Sequence, residues 1–339
     1  MRPFVYQRAG DLASAVDLAS QGPNRVPPTM AEAQFLAGGT TILDLMKLDV
    51  MRPQVLVDIG KVNPEGRRIE QRGDALYLSA FVTMAEAADH PAIKQNYPVI
   101  AQSLELAASP QLRNMATLGG NVLQRTRCAY FRDAAWGQCN KREPGSGCAA
   151  LDGVNRKHAV LGVSDKCIAA YPGDFAQALV ALGAAAEIVG PAGKRVIPVE
   201  ELHREPGNTP HIETTLMPGE IIVGFAVPVA AWTRRSLYLK IRDRQSYEFA
   251  LASVAVALDM IDGTVNAARV ALGGVATKPW RAREAENVLN GNKMNEALAQ
   301  RAADAAFAGA QPRGENQYKR ELGKRTLVRA VLQAARMNV

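Results

Sequence analysis

Two short runs of small residues constrain this chain most. Leu36-Ala37-Gly38-Gly39-Thr40-Thr41 closes a strand-like stretch at 34–37 and leads into a helical pattern at 42–48. Small side chains at such a turn let backbone N–H groups approach an anion at the helix N-terminus. A second run, Ala116-Thr117-Leu118-Gly119-Gly120-Asn121, forms a comparable nest about eighty positions later. One glycine pair is commonly just a tight turn, whereas two such nests suit a ligand with two phosphates. A branched side chain at Gly39 or Gly120 is expected to block it. Neither run reads G-x-G-x-x-G, so a Rossmann dinucleotide site is not supported.

The surrounding pattern is mixed. Residues 4–8 and 55–59 read as strands, and Leu12, Ala15, Val16 and Ala19 recur at helical spacing. A polar turn at 63–66 separates this β-α-β-turn-α-β region from a second α/β region. There 76–80 is a strand, Thr83 with Glu86 is a capping-box signature, 174–186 a helix, 187–199 a hairpin and 221–227 a strand. From about residue 236 long strands follow, 249–259 and 265–272 about Asp262-Gly263, and then helices at 296–308 and 322–337. With 339 residues, 47% of them hydrophobic, two or three globular domains are expected.

All four cysteines, Cys128, Cys139, Cys148 and Cys167, fall within forty residues. Their spacings lack C-x-x-C pairs, so an iron–sulfur cluster, zinc and disulfides stay open on spacing alone, with unrelated thiols a weaker reading. The same stretch holds the densest basic residues, among them Arg125, Arg127, Arg132, Lys141 and Arg142. Four thiolates around a cubane leave net negative charge that cations would offset, which favours the cluster. Few apolar residues stand ready to order this loop without it.

Leu36 to Thr41, together with Arg113-Asn114-Met115-Ala116-Thr117-Leu118-Gly119-Gly120-Asn121, resembles the paired flavin motifs of FAD subunits in the xanthine dehydrogenase and aldehyde oxidase family. Residues 228–240 keep the family spacing, and Arg269-Val270-Ala271-Leu272-Gly273-Gly274-Val275 resembles the start of its C-terminal domain. The resemblance implies an α+β chain: a two-part FAD-binding domain of the vanillyl-alcohol-oxidase (PCMH) type, 1–60 and 61–228, then a smaller α+β domain, 232–339. It implies FAD contacts at Leu36, Ala37, Gly38, Gly39, Thr40, Thr41, Ile42, Thr117, Gly119, Gly120, Asn121 and Asp174, with Ile222 and Lys240 lining the flavin and Ala107 and Ala108 offering backbone contacts. Thr41 stands where many relatives carry an acidic or other polar residue. Without the family, Asp174 reads as a helix N-cap and Lys240 as a solvated edge lysine.

Most flavin subunits of the family cross from the second motif to the aspartate by a short segment, whereas an insertion at 122–170 stands here. Arg125-Thr126-Arg127-Cys128, Cys139-Asn140-Lys141-Arg142, Pro144-Gly145-Ser146-Gly147-Cys148 and Cys167-Ile168-Ala169 resemble the insertion of bacterial periplasmic aldehyde oxidoreductase flavin subunits. That implies a 4Fe-4S cluster on Cys128, Cys139, Cys148 and Cys167, as in an analogous loop of 4-hydroxybenzoyl-CoA reductase. It further implies a heterotrimer in which a large molybdopterin-containing subunit oxidises an aldehyde. A small 2Fe-2S subunit would relay electrons to FAD on this chain and on to an external acceptor.

The four histidines form no H-E-x-x-H pair, no G-x-S-x-G occurs, and no apolar run would span a bilayer. The N-terminus shows no export signal, so periplasmic location would need co-export with a partner, the alternative being cytoplasmic. A free-standing flavin oxidase is the nearest enzymatic rival. The rival of another class is a basic zinc protein that binds nucleic acid, suggested by the net charge of +7. Aromatics at 6%, with none interleaved in the basic loop, argue against a stacking platform.

Overall fold

The computed structural model describes residues 1–20, 26–62 and 66–339, so the polar turn expected at 63–66 lies, but for Gly66, outside the described residues. Strands β1 (Val5–Arg8), β2 (Ala33–Leu36) and β3 (Val55–Asp58) form a parallel sheet in the order β1-β3-β2. Parallel neighbours need crossovers, and the helices Leu12–Ala19 and Ile42–Lys47 supply them. Asp11 caps the first of these by accepting from the Ser14 N–H at 2.7 Å.

Five antiparallel strands make the second sheet: β4 (Ile69–Arg72), β5 (Ala75–Ser79), β6 (Ala185–Gly190), β7 (Gly193–Pro198) and β8 (Ile221–Pro228), in the order β4-β5-β8-β6-β7. The Thr83–Glu86 capping box is present at the helix Met84–Asp89. The helix expected at 174–186 spans Phe175–Leu182, every residue buried. It stops because Gly183 takes a left-handed C-cap with φ +70°, and the chain re-enters as β6.

The third sheet, antiparallel in the order β12-β11-β10-β9, comprises β9 (Ser236–Ile241), β10 (Ala252–Ile261), β11 (Thr264–Gly273) and β12 (Trp280–Arg281). Asp262 and Gly263 both have positive φ, as a two-residue hairpin of primed type requires. Period-two alternation divides its faces. Val254, Val256, Leu258, Val270 and Leu272 face the C-terminal helices, while small Ala255, Ala257 and Ala271 join the core around Phe175 and Leu104. Alanines there let the helix Phe175–Leu182 lie close on the sheet.

The insertion leaves the helix Leu118–Val122 and is seated on both halves of the molecule. Arg132 grips Asp44 through two bonds of 2.8 and 3.1 Å, and Arg127 adds a third at 3.2 Å. Further on, Asn155 exchanges bonds with Glu315, Asn316 donates to the Ala159 carbonyl, and buried Lys319 donates to the carbonyls of Lys157 and Gly274. Phe131 and Cys139 pack with Leu45, Met46 and Leu56, and Val160 and Leu161 belong to the C-terminal core. The segment thus carries more apolar anchorage than its composition suggests, because its few large side chains enter cores built by other elements.

Candidate functional site

A cavity of about 250 Å³ lies between the first two sheets and the root of the insertion. Its floor is the first glycine turn, Ala37 through Ile42. Gly39 has φ +74°, and a Cβ on Gly38 would stand 1.8 Å from the Met115 carbonyl oxygen, so the first turn packs directly against the chain entering the second. Among the described residues, the N–H groups of Gly38, Gly39, Thr40 and Thr41 find no acceptor in the chain. All four residues are partly buried. Four consecutive free donors at a cavity floor form a nest for an anion.

The second turn lines the same cavity with Thr117, Gly119 and Gly120, but its amides are used internally. Gly120 N–H donates to Thr117 Oγ1 at 3.2 Å, Gly119 N–H to Ala80 O at 2.9 Å, and Asn121 N–H to Thr117 O at 2.8 Å. Thr117 acts as N-cap of the helix Leu118–Val122, and neither glycine has positive φ. The paired nests expected from the sequence are one donor nest and one structural turn shaping the wall.

Ile222 also lines the cavity, whereas Leu36, Ala107, Ala108, Asn121, Asp174 and Lys240 lie outside its lining. Four of these form a group of their own. Asp174 accepts from Tyr238 Oη at 2.6 Å and from Lys240 Nζ at 2.8 Å, and Lys240 also donates to the carbonyl of Leu106, next to Ala107 and Ala108. Asp174 occupies the N-cap position of its helix, yet its side chain makes no cap bond. Lys240 is on an edge strand, but its side chain is only 1% exposed, so neither default reading of the pair describes its side chain. Burial, with Asp174 alongside, pushes the Tyr238 phenol well above its usual range and keeps it a donor.

The cavity lining also holds a buried ion triad that carries no sequence signature. Glu213 accepts from Arg125 Nε at 2.6 Å and pairs with Lys141 Nζ at 2.9 Å. Burial pushes the Glu213 carboxyl upward, but Arg125 and Lys141 outweigh it and hold it at about 2. His203 lines the cavity too, its Nε2 3.0 Å from the Val122 carbonyl oxygen. Burial lowers it to about 4, leaving a neutral ring.

Behind Lys141, all four cysteines line one small enclosed pocket. Cys139 and Cys148 sit on antiparallel backbone, and Asn140 shapes the loop between them by accepting from the N–H groups of Gly145 and Gly147, both of positive φ. Ser164 accepts from Cys167 N–H, and His158 Nε2 lies 3.1 Å from Cys128 Sγ. None of the four is in a disulfide. Burial pushes the Cys128 thiol up to about 12 and that of Cys167 to about 11, so only a bound cation would make them thiolates near neutrality. Among the described residues, no three Cys, His, Asp or Glu side chains gather closely enough to hold a single metal ion, as zinc at about 2.3 Å from each sulfur would require.

Residues 2–230 match the FAD binding domain in molybdopterin dehydrogenase, and residues 237–334 the CO dehydrogenase flavoprotein C-terminal domain. The chain is 45% identical over 335 residues to the aldehyde oxidoreductase FAD-binding subunit PaoB of Escherichia coli K12, covering 98% of this chain and 99% of that one. It is 28% identical to the carbon monoxide dehydrogenase medium chain of Hydrogenophaga pseudoflava, over 97% and 96% of the two chains. A crystal structure of that organism's carbon monoxide dehydrogenase superposes with a TM-score of 0.74 at 27% identity, covering 98% and 97%. Quinoline 2-oxidoreductase of Pseudomonas putida 86 shares the fold, with a TM-score of 0.74 at 24% identity over 98% and 97%.

Proposed function

Since the chain belongs to the family of FAD-binding medium subunits of xanthine and carbon monoxide dehydrogenases, we propose that it is the electron-transfer subunit of a molybdenum-dependent aldehyde oxidoreductase, holding FAD in the large cavity and a 4Fe-4S cluster on its four cysteines. The aldehyde chemistry follows the 45% identity, over nearly the whole chain, to a subunit of that activity. One observation carries the second cofactor. Four free thiols, brought from positions 128 to 167, share one pocket beside the cavity without closing on a single-ion site. A cubane is a wider body than one zinc ion, and cysteine sulfur is its usual ligand.

The free amides from Gly38 to Thr41 suit the pyrophosphate of FAD, and Gly39 keeps that approach open. The wall formed by Thr117, Gly119, Gly120 and Ile222 would exclude water along it. Bound flavin accepts electrons singly and releases a pair, which suits the end of a chain of one-electron carriers. Asp174, fixed by Tyr238 and Lys240, holds the helix Phe175–Leu182 against β9 beside this site. Partners would be a large molybdopterin-containing subunit and a small 2Fe-2S subunit, with an external electron acceptor. The periplasm, reached by co-export, is the proposed compartment.

Three measurements test this reading. Acid precipitation should release FAD, metal analysis should find about four irons with labile sulfide per chain, and the chain alone should leave aldehydes untouched. FMN in the supernatant, zinc in fresh protein, or aldehyde turnover by the isolated chain would each refute the matching part. Cell fractionation checks the compartment.

A further inference from the structure

Five basic residues of the insertion are suited by sequence to offset the charge of a group on the cysteines, and four of them lie outside the cysteine pocket's lining. Arg127 and Arg132 bind Asp44. Arg142 donates to the carbonyls of Tyr130, Phe131, Asp133 and Trp136 and so ties the loop together. Arg125 is turned to Glu213 and lies over the Phe131 ring.

Of the five, only Lys141 lines the cysteine pocket, and it also lines the large cavity. Among the described residues, only Ala169 shares that double position. Lys141 is therefore part of the partition between the two. Its side chain is 12% exposed, with Nζ 2.9 Å from Glu213 and 3.0 Å from the Pro210 carbonyl oxygen. Arg125, Lys141 and Glu213 together carry two positive charges and one negative. A buried net positive charge is weakly screened by salt and acts strongly on a neighbouring redox centre.

Resting on the reading of the cysteines as cluster ligands, we infer that Lys141 is a tuning residue whose charge, incompletely cancelled by Glu213, raises the reduction potential of the group in the cysteine pocket. One electron enters from a one-electron donor, no bond forms or breaks, and no proton is taken up. The centre gains one negative charge, which Lys141 stabilises through the partition.

The test is an electron-paramagnetic-resonance redox titration of the purified complex with dithionite and mediators. Lys141→Gln should move the cluster midpoint to a more negative value, Lys141→Arg should restore it, and Glu213→Gln should move it the opposite way. Lys166→Met removes a half-exposed charge paired with Asp165 beside the same pocket and should shift it less. An unchanged midpoint in Lys141→Gln with parental iron and sulfide overturns the inference, as does an equal shift in Lys166→Met. Should Lys141→Gln lose its iron, the direction of the Glu213→Gln shift decides alone. A parent without iron and sulfide removes the cluster reading itself, an outcome visible before any variant is made.

Discussion

Two parts of the large cavity's lining place positive potential on it by opposite means. In one, four backbone amides do so without any ionisable group, and the sequence must supply a glycine free to take positive φ at 39 and one without a side chain at 38, where a Cβ would meet the Met115 carbonyl. In the other, three charged side chains do so, each dependent on its neighbours and brought from positions 125, 141 and 213. An amide nest is indifferent to pH and tolerant of its surroundings. A buried triad is sensitive to both, since removing one member leaves the others unpaired.

The contrast predicts a graded series. Glu213→Gln should have the largest effect, about 3–5 kcal/mol of lost stability, because Arg125 and Lys141 would then face each other across a neutral amide; denaturant unfolding of parent and variant measures it. Acid should reproduce that loss in the parent. The folded Glu213 pKa of about 2 lies below its ordinary value of 4.5, so its contribution is complete above about pH 4.5 and disappears as the pH falls towards 2. The gap between parent and Glu213→Gln should close over that window, and a constant gap would break the contrast.

At the amide nest, Gly39→Val should cost about 1–3 kcal/mol for a branched residue held at φ +74° and should abolish flavin binding, read as loss of the FAD released by acid precipitation. The smallest effect belongs to Gly120→Ala. Its Cβ would meet only Thr117 Oγ1 at 3.0 Å, on a glycine without positive φ, so stability should change by less than about 1 kcal/mol with flavin retained. This departs from the equal sensitivity that the matching motifs suggest. Flavin loss in Gly120→Ala would show that the second turn contacts the cofactor as closely as the first.

Much of the frame was legible because its signals are local. The Thr83–Glu86 capping box, the Asp262-Gly263 hairpin and the alternation along β10 and β11 each need only neighbouring residues. The overlong reading of the helix at 174–186 failed for a local reason as well, since Gly183 sits in a run of alanines that masks its role as a stop. The site was less legible because its decisive contacts are distant. Nothing near Glu213 foretells Arg125, some ninety positions away, and nothing around Asp44 foretells Arg132. The difference between the two glycine turns was hidden for another reason: whether an amide is free depends on which carbonyl the tertiary fold brings to it, and Ala80 reaches only the second.

The seat of the insertion's second half has a consequence in time. Residues 155–161 bond to Val275 and Thr277 and to the stretch from Gln311 to Lys319, all made much later than the cysteines. A chain leaves the ribosome N-terminus first. The first sheet can close early, whereas Cys128 and Cys167 cannot be held in their final relation until almost the whole polypeptide has emerged. Assembly of the cysteine pocket is thereby ordered after translation of the stretch from Gln311 to Lys319, so whatever the pocket holds enters late.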